Sequence, residues 1–297
     1  MELYKKFFNE FDDLQLLNFF TRANAIVCNN RQNFSCDFFQ KQTQIFKIDI
    51  WSDNFIDQNE TIKKINFWTL NKSKGTINQT IEALPQNSSF FLLNSVSFKA
   101  IWTKACSKIL NLFLNTDGTI SYPNWLLSSC NIRENQFEEG IIYFLPYSDG
   151  SLEIALLLPS KDIFEKTKSF SKILEKYKNN FETLLSPKKL SYCELFLPKL
   201  NINGYNSLKL ILQRMGIIAA FNQTAQFNAF SRDKIHLTDV ISSMNVQLKD
   251  DSKKRFSKLS NINVSNKTDV HFDRSFMLIV FHYKTKVPVY IGIINKI

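Results

Sequence analysis

Leu237-Thr238-Asp239-Val240-Ile241-Ser242-Ser243-Met244-Asn245-Val246-Gln247-Leu248 is an apolar run that gives way to Lys249-Asp250-Asp251-Ser252-Lys253-Lys254-Arg255-Phe256-Ser257-Lys258. Leu259-Ser260-Asn261-Ile262-Asn263-Val264-Ser265-Asn266-Lys267-Thr268-Asp269 follows, and apolar character returns at Phe272 and Phe276–Phe281. A long polar segment without Gly or Pro, set between two β-prone runs, is unusual inside a compact domain. Such loops are either functional or disordered. The remainder of the chain is therefore read as a scaffold that holds this loop up.

The scaffold has ample apolar material, since 44% of the 297 residues are hydrophobic and 28 are Phe. That excludes a disordered chain. A net charge of +10 invites a polyanion partner, with lysines that simply solvate helix faces as the plainer explanation. Cys28, Cys36, Cys106, Cys130 and Cys193 are odd in number and scattered, which suggests neither a disulfide framework nor a zinc site. No apolar run reaches the roughly 18 residues of a membrane span. Met1–Lys6 lacks the apolar segment of a secretory signal. Asn-x-Ser/Thr triplets begin at Asn33, Asn59, Asn71, Asn78, Asn87, Asn222, Asn263 and Asn266 and carry little weight in an Asn-rich chain.

Periodicity predicts a helix over Met1–Leu17, a strand over Phe19–Val27, a helix capped by Ser35 and a short strand at Ile48–Trp51. Ile62, Ile65 and Trp68 predict another helix, closed by Gly75. Phe90–Phe98 reads as a strand buried on both faces. Asp117-Gly118 marks a turn, and Ile141–Pro146 with Leu152–Pro159 predicts a hairpin. Helices over Ile163–Tyr177 and Asn206–Met215 and strands at Cys193–Leu200, Phe276–Tyr283 and Val287–Ile294 complete the reading. With helices concentrated early and strands late, the expectation is a single α+β domain over 1–297.

Several segments carry a family resemblance. Asn94-Ser95-Val96-Ser97-Phe98-Lys99-Ala100-Ile101-Trp102 resembles the serpin pattern of the third strand of the large central sheet A. Ile65-Asn66-Phe67-Trp68 with Gly75 is similar to its helix F, and Ala23-Asn24-Ala25-Ile26-Val27 to its second sheet strand. Leu145-Pro146-Tyr147, Leu197-Pro198-Lys199-Leu200, Met215-Gly216-Ile217, Phe272-Asp273-Arg274-Ser275-Phe276 and Tyr290-Ile291-Gly292 fall in the family's order. The resemblance implies a serpin-like α+β fold that starts at the family's fourth helix, with the first three absent. It implies a monomeric inhibitor of serine (or cysteine) proteases, extracellular, with cytoplasmic as the alternative, and with a reactive loop over 249–271. Glycosaminoglycan-like polyanions are a possible second partner, and no cofactor or metal is expected.

In that resemblance the loop is cut by a protease and then inserts into sheet A as a new strand. Asp250, Asp251, Ser252, Lys253, Arg255 and Ser257 take the place of the family's hinge, and Val264, Ser265, Asn266 and Lys267 that of the scissile region. Asn94, Trp102 and Ser242 take the place of the region where the sheet opens, with Ser242 where the family usually has His. Insertion turns alternate residues inward: Lys253, Arg255 and Ser257 in one register, Lys254, Phe256 and Lys258 in the other. Either register takes a cation out of water at a cost on the order of several kcal/mol. The expectation is an impaired trap, with a non-inhibitory binding module or a degenerate family member as alternatives.

An enzyme is not expected. His236, His271 and His282 are the only imidazoles, nothing resembles a nucleophile elbow or phosphate loop, and Glu138-Glu139 reads as a solvated turn.

Overall fold

The computed structural model describes residues 20–85, 87–102, 105–106, 112–146, 152–167, 170–250 and 268–297. They fall into two compact units, Met1–Ala100 with Asn201–Gln247, and Ile101–Leu200 with Leu248–Ile297.

In the first unit the chain runs through β1 (Phe20–Asn29), α1 (Cys36–Phe46), β2 (Asp49–Asp53), α2 (Gln58–Lys72) and β3 (Phe90–Trp102). Ser35 caps α1 as expected, its Oγ accepting from the Phe38 amide at 3.3 Å. Asp57 does the same for α2 through the Glu60 amide at 3.1 Å. Gly75, at φ +80°, ends the turn beyond α2, where its amide donates to Leu70 O. Asn66 then fastens the returning chain: its Nδ2 donates to Ile81 O at 3.0 Å, and its Oδ1 accepts from the Thr80 and Ile81 amides.

The second unit opens with three short strands, β4 (Ala105–Cys106), β5 (Phe113–Leu114) and β6 (Ile120–Ser121). The expected Asp117-Gly118 turn joins β5 to β6, with Gly118 at φ +84°. The long strands β7 (Trp125–Phe137), β8 (Gly140–Pro146) and β9 (Leu152–Pro159) follow, then α3 (Lys161–Thr167), α4 (Ser171–Tyr177), α5 (Phe181–Leu184) and β10 (Lys189–Pro198). β11 (Leu200–Ser207), α6 (Lys209–Arg214) and β12 (Leu237–Asp250) lie mainly in the first unit. β13 (Thr268–His271), β14 (Phe276–His282) and β15 (Pro288–Ile294) finish the second.

The first unit holds a five-stranded sheet in the order β11-β12-β3-β1-β2, with β1 antiparallel to β3 and parallel to β2. One face packs Ala25, Val27, Leu93 and Ile241 against Ile65 of α2. Lower on the other face, Ile26, Phe90 and Leu237 meet Phe221 and Phe230. The second unit is built on the order β13-β10-β7-β8-β9-β14-β15, with β4 also paired to β7. All residues of β9 and β14 are buried, which is why both read as unbroken apolar runs.

Three expectations need correction. The helix over Ile163–Tyr177 is two, α3 and α4. Phe164 and Phe170 are both buried, yet six residues at about 100° each would set them on different faces of one straight helix. The helix from Asn206 is only α6, because Asn206 and Ser207 belong to β11. β3 is not buried on both faces throughout: Leu93, Ser95 and Ser97 are buried, while Leu92, Asn94 and Val96 are half-buried. The strands expected at Phe19–Val27, Ile48–Trp51 and Phe90–Phe98 are present as β1, β2 and β3, side by side in the first sheet.

Candidate functional site: the seam between β3 and β12

β3 and β12 are direct neighbours in the first sheet, and at mid-strand they are joined by side chains. Asn24 and Asn94 are cross-strand partners in the β1–β3 register, so their side chains share a face. Asn94 Nδ2 donates to Asn24 Oδ1 at 2.8 Å, and Asn94 Oδ1 accepts from Ser242 Oγ at 3.1 Å. Ser243 Oγ, pointing to the opposite face, donates to the Asn94 carbonyl at 3.2 Å. One asparagine thus ties β1, β3 and β12 together.

A second tie crosses the same seam on the α2 side. Thr76 Oγ1 donates to Ser97 Oγ at 2.8 Å, and Ser97 Oγ donates to Asn245 Oδ1 at 3.4 Å. Asn245 is fully buried, and its Nδ2 reaches Asn203 Oδ1 at 2.7 Å and Asn201 Oδ1 at 3.1 Å on β11. Sequence reasoning missed this tie. Its signal was present in Met244-Asn245-Val246, an amide inside an apolar strand, which must find partners if buried.

Neutral hydrogen bonds of this kind are worth about 1 kcal/mol each, net of the water they displace. None of the seam's side chains titrates near neutrality, because Ser242 occupies the position where the resemblance leads one to expect His.

Trp102 is the last residue of β3, at the far end from Asn94. Asp250 is the last residue of β12. Asp251, Ser252, Lys253, Arg255, Ser257, Val264, Ser265, Asn266 and Lys267 lie outside the described residues. The chain resumes at Thr268, the first residue of β13, which pairs in parallel with Cys193 on β10. Residues 251–267 thus connect β12 to β13 along the chain.

Near β13 a cavity of about 450 Å³ is lined by Tyr143, His271 and Arg274 among others. Its guanidinium is already occupied: Arg274 donates twice to Pro159 O, at 3.1 and 2.7 Å, and once to Asp273 at 2.6 Å. Burial raises the Tyr143 pKa. Glu138 and Glu139 both pair with Lys176, at 3.3 and 2.5 Å, and form no dyad with catalytic geometry.

A five-stranded sheet with a hydrogen-bonded β3–β12 seam and α2 packed on one face is the frame expected of the family that the sequence resembles. A model of the family described as Serpin (serine protease inhibitor) matches residues 3–297, and the chain belongs to that family. It is 24% identical over 292 residues to glia-derived nexin of Rattus norvegicus, covering 93% of this chain and 72% of that protein. It is likewise 24% identical over 283 residues to alpha-1-antiproteinase of Bos taurus, covering 92% of this chain and 66% of that one. Among solved structures, native protease nexin-1 with heparin superimposes with a TM-score of 0.84 at 19% identity, covering all of this chain and 82% of the other. The thermophilic serpin Tengpin in its native state gives 0.80 at 20% identity, with 94% and 73% covered. These likenesses bear out the serpin-like α+β fold expected from the sequence.

Proposed function

We propose that this serpin offers residues 251–267 to a serine or cysteine protease as a substrate-like bait, and that insertion of the cut loop is impaired. The observation that carries the reading is the β3–β12 seam, held by Asn94 and Ser242, with the loop leaving β12 directly after Asp250. A strand entering there sends alternate side chains to each face of the sheet. The α2-facing layer is dry: Leu93 is 2%, Ser243 0% and Asn245 0% exposed. Lys253 and Arg255 go to one face, Lys254 and Lys258 to the other. Either register therefore drives a cation into that layer, at a cost on the order of several kcal/mol for each. Family inhibitors carry Thr and Ala at such positions. We place this action outside the cell, in keeping with the resemblance.

Incubation with trypsin-like and chymotrypsin-like proteases tests the proposal. The expected result is clean cleavage within 251–267, no SDS-resistant adduct and no large rise in melting temperature of the nicked protein. A stable adduct, or a large rise after cutting, would show that the cations are accommodated and would overturn it. A second reading, polyanion binding, draws on the net charge of +10 and on the heparin in the protease nexin-1 structure. Retention on heparin no stronger than that of a generic basic protein rejects it.

A further inference from the structure

We propose that Asn222 is an acceptor for an N-linked glycan; this rests on the reading above that the protein acts outside the cell. Several triplets share the sequence pattern, and the structure separates them. In Asn59-Glu60-Thr61 and Asn71-Lys72-Ser73 the asparagine lies within α2 and the hydroxyl is turned inward, Thr61 donating to Asn54 O and Ser73 to Leu70 O. Ser35 is spent on capping α1. Thr80 and Ser89 are buried. The triplets at Asn263 and Asn266 begin outside the described residues.

Asn222-Gln223-Thr224 differs on each count, because all three residues are exposed. Asn222 has extended backbone, φ −130° and ψ 178°, directly after the single 3-10 turn Ala219–Phe221. Its Oδ1 accepts from the Thr224 amide at 2.8 Å and from Thr224 Oγ1 at 2.5 Å. This is an Asx turn, made by contacts two residues apart, so a nascent chain can form it before it folds. It sets the acceptor amide and the Thr hydroxyl side by side, the two groups that the triplet exists to present.

A second observation points to the same place. Leu210, Ile211, Met215, Ile217 and Ile218 are 47–73% exposed and form an apolar stretch ending in this turn. Phe221 N donates to Ile218 O and Asn222 N to Ala219 O, which holds Asn222 within one turn of Ile218. A hydrated oligosaccharide there solvates apolar surface that is otherwise left to water.

The donor is a lipid-linked oligosaccharide diphosphate. The Asn222 side-chain nitrogen bonds to C1 of the first sugar, and the C1–O bond to the diphosphate breaks. The lipid diphosphate leaves with the electron pair, and the amide proton passes to a base of the transferase.

The test is secretion of the full chain from eukaryotic cells behind a cleavable leader, followed by amidase deglycosylation in H₂¹⁸O and tryptic mass mapping. The peptide Met215–Arg232 contains a single triplet, so its label reports Asn222 alone. Conversion of Asn222 to ¹⁸O-labelled Asp is expected. Asn222→Gln and Thr224→Ala should abolish it, and Thr224→Ser should retain it in part. The dye bis-ANS should also brighten several-fold on secreted Asn222→Gln relative to the glycosylated protein. An unlabelled Met215–Arg232 peptide in protein recovered from the medium overturns the inference. Secreted protein that is cut by proteases yet lacks this glycan refutes the glycan alone. Glycosylated protein that no protease touches refutes the bait reading alone.

Discussion

Asn94→Ala isolates the energetics of the seam. The substitution removes the acceptor for Ser242 Oγ at 3.1 Å and the donor to Asn24 Oδ1 at 2.8 Å, but leaves the carbonyl that binds Ser243. Asn24 and Ser242 are half-buried, so water takes up part of what is lost. Each bond is then worth about 0.5–1 kcal/mol, and the whole change about 1–2 kcal/mol. Ser242→Ala removes one of the two, at about 0.5–1 kcal/mol. In the double variant the shared bond is counted once, so the cycle should return a coupling of about 0.5–1 kcal/mol. The readouts are guanidinium melts for the global term and amide exchange of peptides from β3 and β12 for local opening. If the seam opens as a local unit, exchange there should speed up roughly five- to thirtyfold in Asn94→Ala, while β9 and β14 stay protected. A coupling within about 0.3 kcal/mol of zero, or unchanged exchange in β3, would refute the claim that Asn94 ties β12 to the sheet.

Other consequences can be measured directly. Burial, and then the charge of Lys209, lower the pKa of His236 below its ordinary 6.5. The unfolded chain therefore binds the proton more readily, so this contribution to stability is present above about pH 6.5 and fades as pH falls below it. Between pH 7.5 and 5.5 the urea midpoint should drop further in the wild type than in His236→Gln, and equal drops would refute the assignment. Burial holds the Cys28 thiol up to about 12, whereas Cys36 is exposed in the first turn of α1. Iodoacetamide should label Cys36 in the native protein and reach Cys28 and Cys193 only after unfolding, a pattern that peptide masses reveal. A Cβ at Gly140 would overlap the Leu158 carbonyl and lie 2.8 Å from Pro159 Cα, both backbone atoms of the paired strand. Gly140→Ala should cost about 1–3 kcal/mol in a denaturant melt, and a neutral result would mean that β8 and β9 do not pair in this register.

Local signals needed no structure to be read. Ser35 before an amphipathic run, Gly75 and Gly118 at positive φ, and the apolar runs of β9 and β14 each encode a conformation through the residue itself or its near neighbours. The order of short motifs pointed to the family, and that pointed to Asn94 and Ser242 as a pair. The sequence did not reveal β7, whose Ser128-Ser129-Cys130-Asn131 stretch lacks a β signature and becomes a strand because β8 and β10 flank it. Nor did it reveal that the predicted helix over Ile163–Tyr177 is two, α3 and α4. The Thr76–Ser97–Asn245 tie was equally hidden, because its Ser97–Asn245 bond joins residues 148 positions apart. Periodicity reports which face of an element is apolar. Which polar groups meet inside the sheet is fixed only when non-adjacent strands are brought together, and that decision belongs to the tertiary fold.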